Sequence, residues 1–199
     1  MDIREVERLA AVGVTPESVD IVFLTHLHVD HVGWNTRLVD GQWVPTFPNA
    51  THVFSAIDLA WVRERVAAEA AGDNTPAVYA DSIAPILDAC ETRVIAEAGE
   101  LLPGLTIEFT PGHTPGHLML RAESHGEGAA FIGDVMQHPL QIYRPDWSSV
   151  HCVLPDQASA TRRRVLSACA DSGDALFACH FADPYVVRVA RRGDGFAIA

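Results

Sequence analysis

Thr25-His26-Leu27-His28-Val29-Asp30-His31 is the stretch that decides the fold of this chain. It follows the apolar run Ile21-Val22-Phe23-Leu24, which predicts a strand buried on both faces. So many polar side chains in one short stretch serve no packing purpose, because each would need its own buried partner. Imidazole and carboxylate groups bind divalent cations well. The stretch therefore predicts metal ligands in a loop at the end of a strand. The four candidates are His26, His28, Asp30 and His31.

Two later clusters repeat this arrangement of a strand followed by ligand-type side chains. Leu105–Phe109 is a predicted strand that leads into Thr110-Pro111-Gly112-His113-Thr114-Pro115-Gly116-His117. Asp134 follows the apolar stretch 129–132, and His180 follows the stretch 175–178. Five histidines and two aspartates can hold two ions and leave positions open for water. Together the clusters predict a two-metal hydrolytic centre.

These motifs resemble the metallo-β-lactamase superfamily, whose His-x-His-x-Asp-His motif stands here at residues 26–31. His113, Asp134 and His180 match the later ligands of the family in the right order. The form of the motifs is that of the hydrolase branch with glyoxalase II, acyl-homoserine-lactone lactonases and methyl parathion hydrolase. Residues 134–141, with Pro145-Asp146-Trp147 after them, are most similar to the methyl parathion hydrolase-like group. The resemblance implies an α/β fold of four layers, an αββα sandwich, in a single domain over residues 1–199.

The resemblance also implies a role for each ligand. The first metal ion is held by His26, His28 and His113, and the second by Asp30, His31 and His180, while Asp134 bridges the two. Two divalent ions are expected, with zinc as the default and manganese, iron or cobalt as alternatives. A water shared by two cations is acidified, so its hydroxide can attack a small ester, lactone or organophosphate. Asp30 is the candidate to orient this hydroxide and move its proton, which makes Asp30 and Asp134 the expected catalytic residues.

The chain departs from the family pattern in two ways. The motif begins at residue 26, without the N-terminal strands that usually precede it, so we expect the domain to be incomplete at its N-terminus. Either the chain is a truncated product or a second subunit completes the sheet, which would make it a homodimer. The lactonases resemble one another in having a Tyr shortly after the bridging Asp, whereas here Gln137 stands three places after Asp134. This second difference argues against a lactonase without excluding one.

Two other functions stay open. An iron-dependent redox enzyme of the same fold, such as a persulfide dioxygenase-like protein, could use part of this ligand set. An inactive fragment that serves only as an interaction module is the third reading. Hydrolysis is favoured because His31 and His180 complete a second metal site, whereas a mononuclear dioxygenase needs only three protein ligands.

The net charge of the chain indicates which classes of binding partner are unfavourable. The formal net charge of -12 opposes binding to nucleic acid and to anionic membranes, which leaves a small-molecule substrate. The charged N-terminus does not resemble a signal peptide, and no apolar run approaches the roughly 18 to 20 residues of a membrane span. We therefore expect a soluble, cytoplasmic protein. The four cysteines are widely spread and predict neither a disulfide framework nor a thiolate zinc site.

Several further patterns predict local structure. We expect a first helix capped by Asp2, a second that Ser55 caps and that runs to about Ala71, and a third from Thr75 to about Cys90. A helix from Asp156 to about Ala170 should be stopped by Gly173.

Other predictions concern side chains near the clusters. Arg162-Arg163-Arg164 is predicted to form a solvated face of its helix. Thr110 and His117 are expected to fix the ligand loop rather than bind metal. His138 is a candidate to line a substrate pocket, with surface exposure as the alternative. An aromatic pocket wall for an apolar substrate is also predicted, with core packing as the alternative, from Trp34, Trp43, Phe47, Tyr143 and Trp147.

Overall fold

The computed structural model describes residues 4–199 and divides into two compact units, with the boundary between Ile95 and Ala96. The predicted cap Asp2 lies outside the described residues. Within residues 4–199, none of the helices combines the length and the apolar character needed to cross a membrane. The assignment of residues 1–199 to a single domain stays a prediction.

The N-terminal unit contains five helices and five strands among its described residues. In chain order they are α1 (Glu5–Ala11), β1 (Ile21–Phe23), α2 (Val29–Val32), β2 (Thr36–Val39), β3 (Gln42–Pro45), β4 (Thr51–Ser55), α3 (Ala56–Ala68), α4 (Thr75–Val78), α5 (Ala84–Ala89) and β5 (Thr92–Ile95). Strands β1, β4 and β5 form a parallel sheet with β4 in the centre. Strands β2 and β3 pair as an antiparallel hairpin.

Helix α3 begins where the sequence predicts. The Ser55 hydroxyl accepts the backbone N–H groups of Ile57 and Asp58, which leaves fewer unsatisfied donors in the first turn. Phe54, from the central strand, is buried with Leu59 and Val62 of the helix in one apolar cluster. The helix and the sheet are therefore held together by burial of apolar surface.

The C-terminal unit carries a larger sheet and two helices. Its elements are β6 (Gly99–Leu102), β7 (Leu105–Phe109), β8 (Leu118–Ser124), β9 (Glu127–Phe131), α6 (Leu140–Tyr143), α7 (Pro155–Ser172), β10 (Ala175–Phe177), β11 (Val186–Val187), β12 (Val189–Arg192) and β13 (Gly195–Ile198). The six-stranded sheet has the order β11-β10-β9-β8-β7-β6, and only the β9–β10 pair is parallel.

Helix α7 covers this sheet. Val165, Leu166 and Cys169 of the helix are buried in the same cluster as Met119 and Leu176 of the strands. Gly173 ends the helix in the left-handed conformation with φ 75°, and its N–H bonds the Cys169 carbonyl, as the sequence predicts.

Two predictions about burial are wrong, and one predicted helix is irregular. Strand β1 is only partly buried, because it lies at the edge of its sheet. The predicted helix from Thr75 to Cys90 is interrupted by a π-helical segment at Tyr79–Ile83. Arg162 is fully buried rather than solvated, because its guanidinium binds three backbone carbonyls.

Candidate metal centre

The first ligand cluster surrounds a single helical turn in the N-terminal unit. His26 is 1% exposed and lies just past β1. His28 is the N-cap of α2, and its carbonyl accepts the N–H groups of His31 and Val32. Asp30 and His31 therefore lie on a one-turn helix, where the sequence predicted a loop. The candidate ligands therefore lie on one short piece of backbone, with His26 and His28 before the helical turn and Asp30 and His31 within it.

The side chains of this cluster converge. The ring centroid of His26 lies 4.8 Å from that of His28 and 4.1 Å from that of His31. Nε2 of His31 lies 3.5 Å from Oδ2 of Asp30, whose side chain is 55% exposed. Buried and exposed donors thus stand together at one place, as a site that binds a cation and admits solvent requires.

The π-helical segment holds the downstream end of this cluster. Asn35 donates its side-chain N–H to the Ser82 carbonyl at 3.1 Å, and the Thr36 hydroxyl donates to the Asp81 carbonyl at 2.7 Å. Both donors are buried at 3% exposure, directly after the ligand turn. The helical interruption leaves carbonyls that these side chains can bind, so the local irregularity anchors the ligand turn.

The second cluster lies at one end of the large sheet. Strands β9 and β10 run parallel with Phe131 opposite Phe177, so Asp134 and His180, at the same distance beyond them, emerge side by side. Nε2 of His180 lies 3.2 Å from Oδ2 of Asp134. Nε2 of His113 lies 3.3 Å from the same oxygen. Two imidazoles thus point at one buried carboxylate oxygen.

The His117 ring supports this cluster through hydrogen bonds to Asp134 and Thr110. The backbone N–H of Asp134 donates to Nε2 of His117 at 3.1 Å, so that nitrogen carries no hydrogen. The hydrogen of the neutral ring is therefore on Nδ1, which lies 2.7 Å from the Thr110 hydroxyl. With both nitrogens engaged, His117 acts as a support for Asp134, in agreement with the sequence-based expectation.

Gln137 contacts two of the predicted ligands. Its side-chain nitrogen lies 2.8 Å from Nδ1 of His113 and 3.4 Å from Oδ2 of Asp134. In the sequence, Gln137 is notable only because the lactonases have Tyr in this region. No pattern in a single sequence indicates that it contacts His113, because the contact arises from the return of the chain after β9.

A cavity of about 310 Å³ opens beside Gln137 in the C-terminal unit. Its lining consists of Gln137, His138, Leu140, Gln141, Trp147, Ser148 and Ser149. Of the predicted pocket residues, His138 and Trp147 belong to this lining, whereas Trp34, Trp43, Phe47 and Tyr143 do not. The wall is held by Arg162, which donates to the carbonyls of Val135, Pro145 and Trp147. The residue predicted to be solvated is thus what shapes the loop after Asp134.

Cys152 lies beside this cluster, with Sγ 3.9 Å from Nδ1 of His113. Burial raises the pKa of the Cys152 thiol above its ordinary value of 9.0. The thiol is therefore protonated at neutral pH, which makes it a poor nucleophile and a poor thiolate ligand.

The family model of the metallo-beta-lactamase superfamily matches residues 1–181. This chain belongs to the metallo-beta-lactamase superfamily. An N-acyl homoserine lactonase from a Bacillus species is 30% identical over 129 residues, which are 65% of this chain and 43% of that protein. The chain thus spans less than half the length of the curated relatives it matches.

Two solved structures of similar proteins show the same fold. The hydrolase AbOPH of the beta lactamase superfamily gives a TM-score of 0.79 at 27% identity, over 97% of this chain and 68% of that chain. AidC, a dizinc quorum-quenching lactonase, gives a TM-score of 0.82 at 22% identity, over 98% and 68%. The prediction of the metallo-β-lactamase fold is confirmed.

The donors fit the divalent ions that were predicted. Each unit brings its own share of the predicted ligands together: His26, His28, Asp30 and His31 in the N-terminal unit, and His113, Asp134 and His180 in the C-terminal unit. Imidazole nitrogen and carboxylate oxygen suit zinc, manganese, iron and cobalt.

Proposed function

We propose that this chain is a dinuclear metallohydrolase that acts on a small ester, lactone or organophosphate. The observation that carries the proposal is the position of Asp134 Oδ2, which lies within 3.3 Å of Nε2 of both His113 and His180. A buried carboxylate between two imidazoles is the arrangement expected of a ligand shared by two cations.

The resemblance to the family assigns the predicted ligands to two ions. His26, His28 and His113 would hold the first, Asp30, His31 and His180 the second, and Asp134 both. When bound, such ions supply Lewis-acid chemistry that makes water nucleophilic near neutral pH and withdraws charge from a carbonyl or phosphoryl group. Zinc is the expected ion, and the dizinc site of AidC supports this choice. Manganese, iron and cobalt are the alternatives.

The residues of the chain would then have distinct tasks. Asp30 is 55% exposed beside His31 and can accept a proton and pass it to solvent. Asp134, held by His117 through its backbone N–H, would keep its carboxylate in place during turnover. The cavity beside Gln137, with Trp147 and Leu140 in its wall, would receive the apolar part of the substrate.

Lactones are the substrate class that the relatives support best, since N-acyl homoserine lactonases are among them. Esters and organophosphates rest on the resemblance to the hydrolase branch. Turnover rates measured on one panel of lactones, aryl esters and phosphotriesters distinguish the three classes.

Elemental analysis of the purified chain, in parallel with this panel, tests the proposal. We expect zinc in the protein, loss of turnover after chelation and its return on adding zinc. Asp134→Ala should abolish turnover while the far-UV circular dichroism is unchanged, whereas Asp194→Ala, at an exposed turn, should be active. Turnover that survives chelation would overturn the proposal. Bound iron with oxygen consumption and no hydrolysis would instead identify the redox alternative.

A further inference from the structure

The side-chain amide of Gln137 lies against a predicted metal ligand in an orientation that conflicts with metal binding. Its NH₂ group lies 2.8 Å from Nδ1 of His113, so Nδ1 is the acceptor of this contact. In a neutral ring the hydrogen must then be on Nε2. Nε2 is the atom that faces Asp134 Oδ2 at 3.3 Å. With the amide in this orientation, a neutral His113 ring would carry its hydrogen on Nε2, the nitrogen that a cation needs.

Metal binding at Nε2 requires the opposite arrangement. A cation takes the lone pair of Nε2, which moves the ring hydrogen to Nδ1. Nδ1–H cannot bond an NH₂ group, but it can donate to an amide oxygen. The side-chain oxygen of Gln137 is buried and has no hydrogen-bond partner among residues 4–199. Rotation of the terminal amide by about half a turn exchanges these two groups with little change in shape.

We propose that Gln137 is a positioning residue for His113, and that its amide rotates on metal binding so that Oε1 accepts the hydrogen of His113 Nδ1. This inference rests on the proposed function, because it requires that His113 binds a metal ion. It adds a residue that sets which ring nitrogen of His113 is available.

The backbone around Gln137 allows the amide alone to turn. The backbone N–H of Gln137 donates to Oε1 of Gln141 at 2.7 Å, and the Gln141 NH₂ group donates to the Trp147 carbonyl at 2.7 Å. Arg162 binds the same Trp147 carbonyl. The loop is therefore fixed at several points, and only the terminal torsion of Gln137 has to change.

The charge on Asp134 favours one orientation of the Gln137 amide without metal and the other orientation with metal. The Gln137 NH₂ group lies 3.4 Å from Asp134 Oδ2, which is a favourable contact while the carboxylate is fully charged. An amide oxygen in that position would be repelled. Once the carboxylate shares its charge with a cation this repulsion falls, so metal loading favours the rotated amide on both of its neighbours.

Zinc affinity, measured by competition with a chromophoric chelator, tests the proposal. Gln137→Met removes both amide groups and should weaken zinc binding by about 10- to 100-fold. Gln137→Glu can only accept a hydrogen bond, so it should bind zinc at least as tightly as the wild type. Gln157→Met, on the exposed face of α7, is the matched control and should bind as the wild type does. Far-UV circular dichroism of the metal-free variants checks that each of them folds.

A second readout follows the ring itself. Long-range ¹H–¹⁵N spectra of histidine-labelled protein at about pH 8, above the ordinary histidine pKa, report the tautomer of His113. We expect Nε2–H in the metal-free protein and Nδ1–H after zinc is added, with His113→Gln as the assignment control. A His113 ring with Nδ1–H in both states would overturn the proposal.

The outcomes separate this inference from the proposed function. Wild-type affinity in Gln137→Met, or a Gln137→Glu variant as weak as Gln137→Met, overturns the role of Gln137 alone. A wild-type chain that binds no metal at all overturns both.

Discussion

The backbone N–H of Asp134 is bound by Nε2 of His117 at 3.1 Å, while Nδ1 of the same ring meets the Thr110 hydroxyl at 2.7 Å. Thr110 and His117 begin and end the loop that carries His113, and the Thr110 N–H bonds the His117 carbonyl at 2.8 Å. One buried imidazole therefore ties the loop of one ligand to the backbone of another.

Replacing His117 by Phe should weaken both the fold and the metal site. The aromatic ring fills a similar volume but leaves the Asp134 N–H without its acceptor, a loss of about 1 to 3 kcal/mol in unfolding free energy. Zinc affinity should fall by about 10- to 100-fold, because the support of a ligand is removed. Urea unfolding and zinc competition measure the two effects. His125→Asn, in the exposed β8–β9 turn, is the control; equal zinc affinity in the two variants would contradict the role of His117.

Gly112→Ala should displace the His113 loop. Gly112 has φ 139°, and an added Cβ would meet the backbone of Ala158 in helix α7 at 2.3 Å. We expect a loss of about 1 to 3 kcal/mol or more in unfolding free energy and a weaker zinc site. Gly126→Ala is a matched control, since it also has positive φ but its Cβ meets nothing within 4 Å. Similar losses in both variants would show that backbone strain, and not the contact with α7, is the cause.

Arg162→Met should destabilise the loop after Asp134. The guanidinium donates to three carbonyls, and a thioether of similar length cannot replace these bonds, at a cost of about 3 kcal/mol. Arg163→Met is the control next to it, because that side chain is 52% exposed. Its effect should stay within about 0.5 kcal/mol. Denaturant unfolding that gives equal values for both variants would contradict the buried role of Arg162.

His52 should make stability depend on pH. It is fully buried on the central strand β4, and burial lowers its pKa below the ordinary value of 6.5. The unfolded chain therefore binds the proton first, and stability is lost as pH falls below about 6.5. In metal-free protein, the unfolding free energy of the wild type relative to His52→Gln should decline from about pH 8 to about pH 5. A constant difference over this range would contradict the prediction.

The sequence allows the candidate ligands to be named because their spacing is local. His26, His28, Asp30 and His31 stand in one short motif, and the later ligands each follow a strand that apolar runs reveal. Ser55 and Gly173 mark helix ends through the chemistry of single residues, and the structure confirms both.

The structural features that the sequence did not predict depend on contacts between segments that are distant in the chain. Arg162 is charged, so its sequence pattern predicts solvent, and only the carbonyls of the folded loop explain its burial. The carbonyls of the π-helical segment are bound by Asn35 and Thr36 from another part of the unit. Likewise, the register of β9 and β10 is what puts His180 beside Asp134. Tertiary contacts of this kind leave no local mark in the sequence.

The metal content of the purified chain is the measurement that tests the central claim most directly. Inductively coupled plasma mass spectrometry should find about two divalent ions per wild-type chain and fewer in His28→Ala and Asp134→Ala, with Asp194→Ala equal to the wild type. A wild-type chain without metal, or an Asp134→Ala chain that retains both ions, would contradict a centre bridged by Asp134.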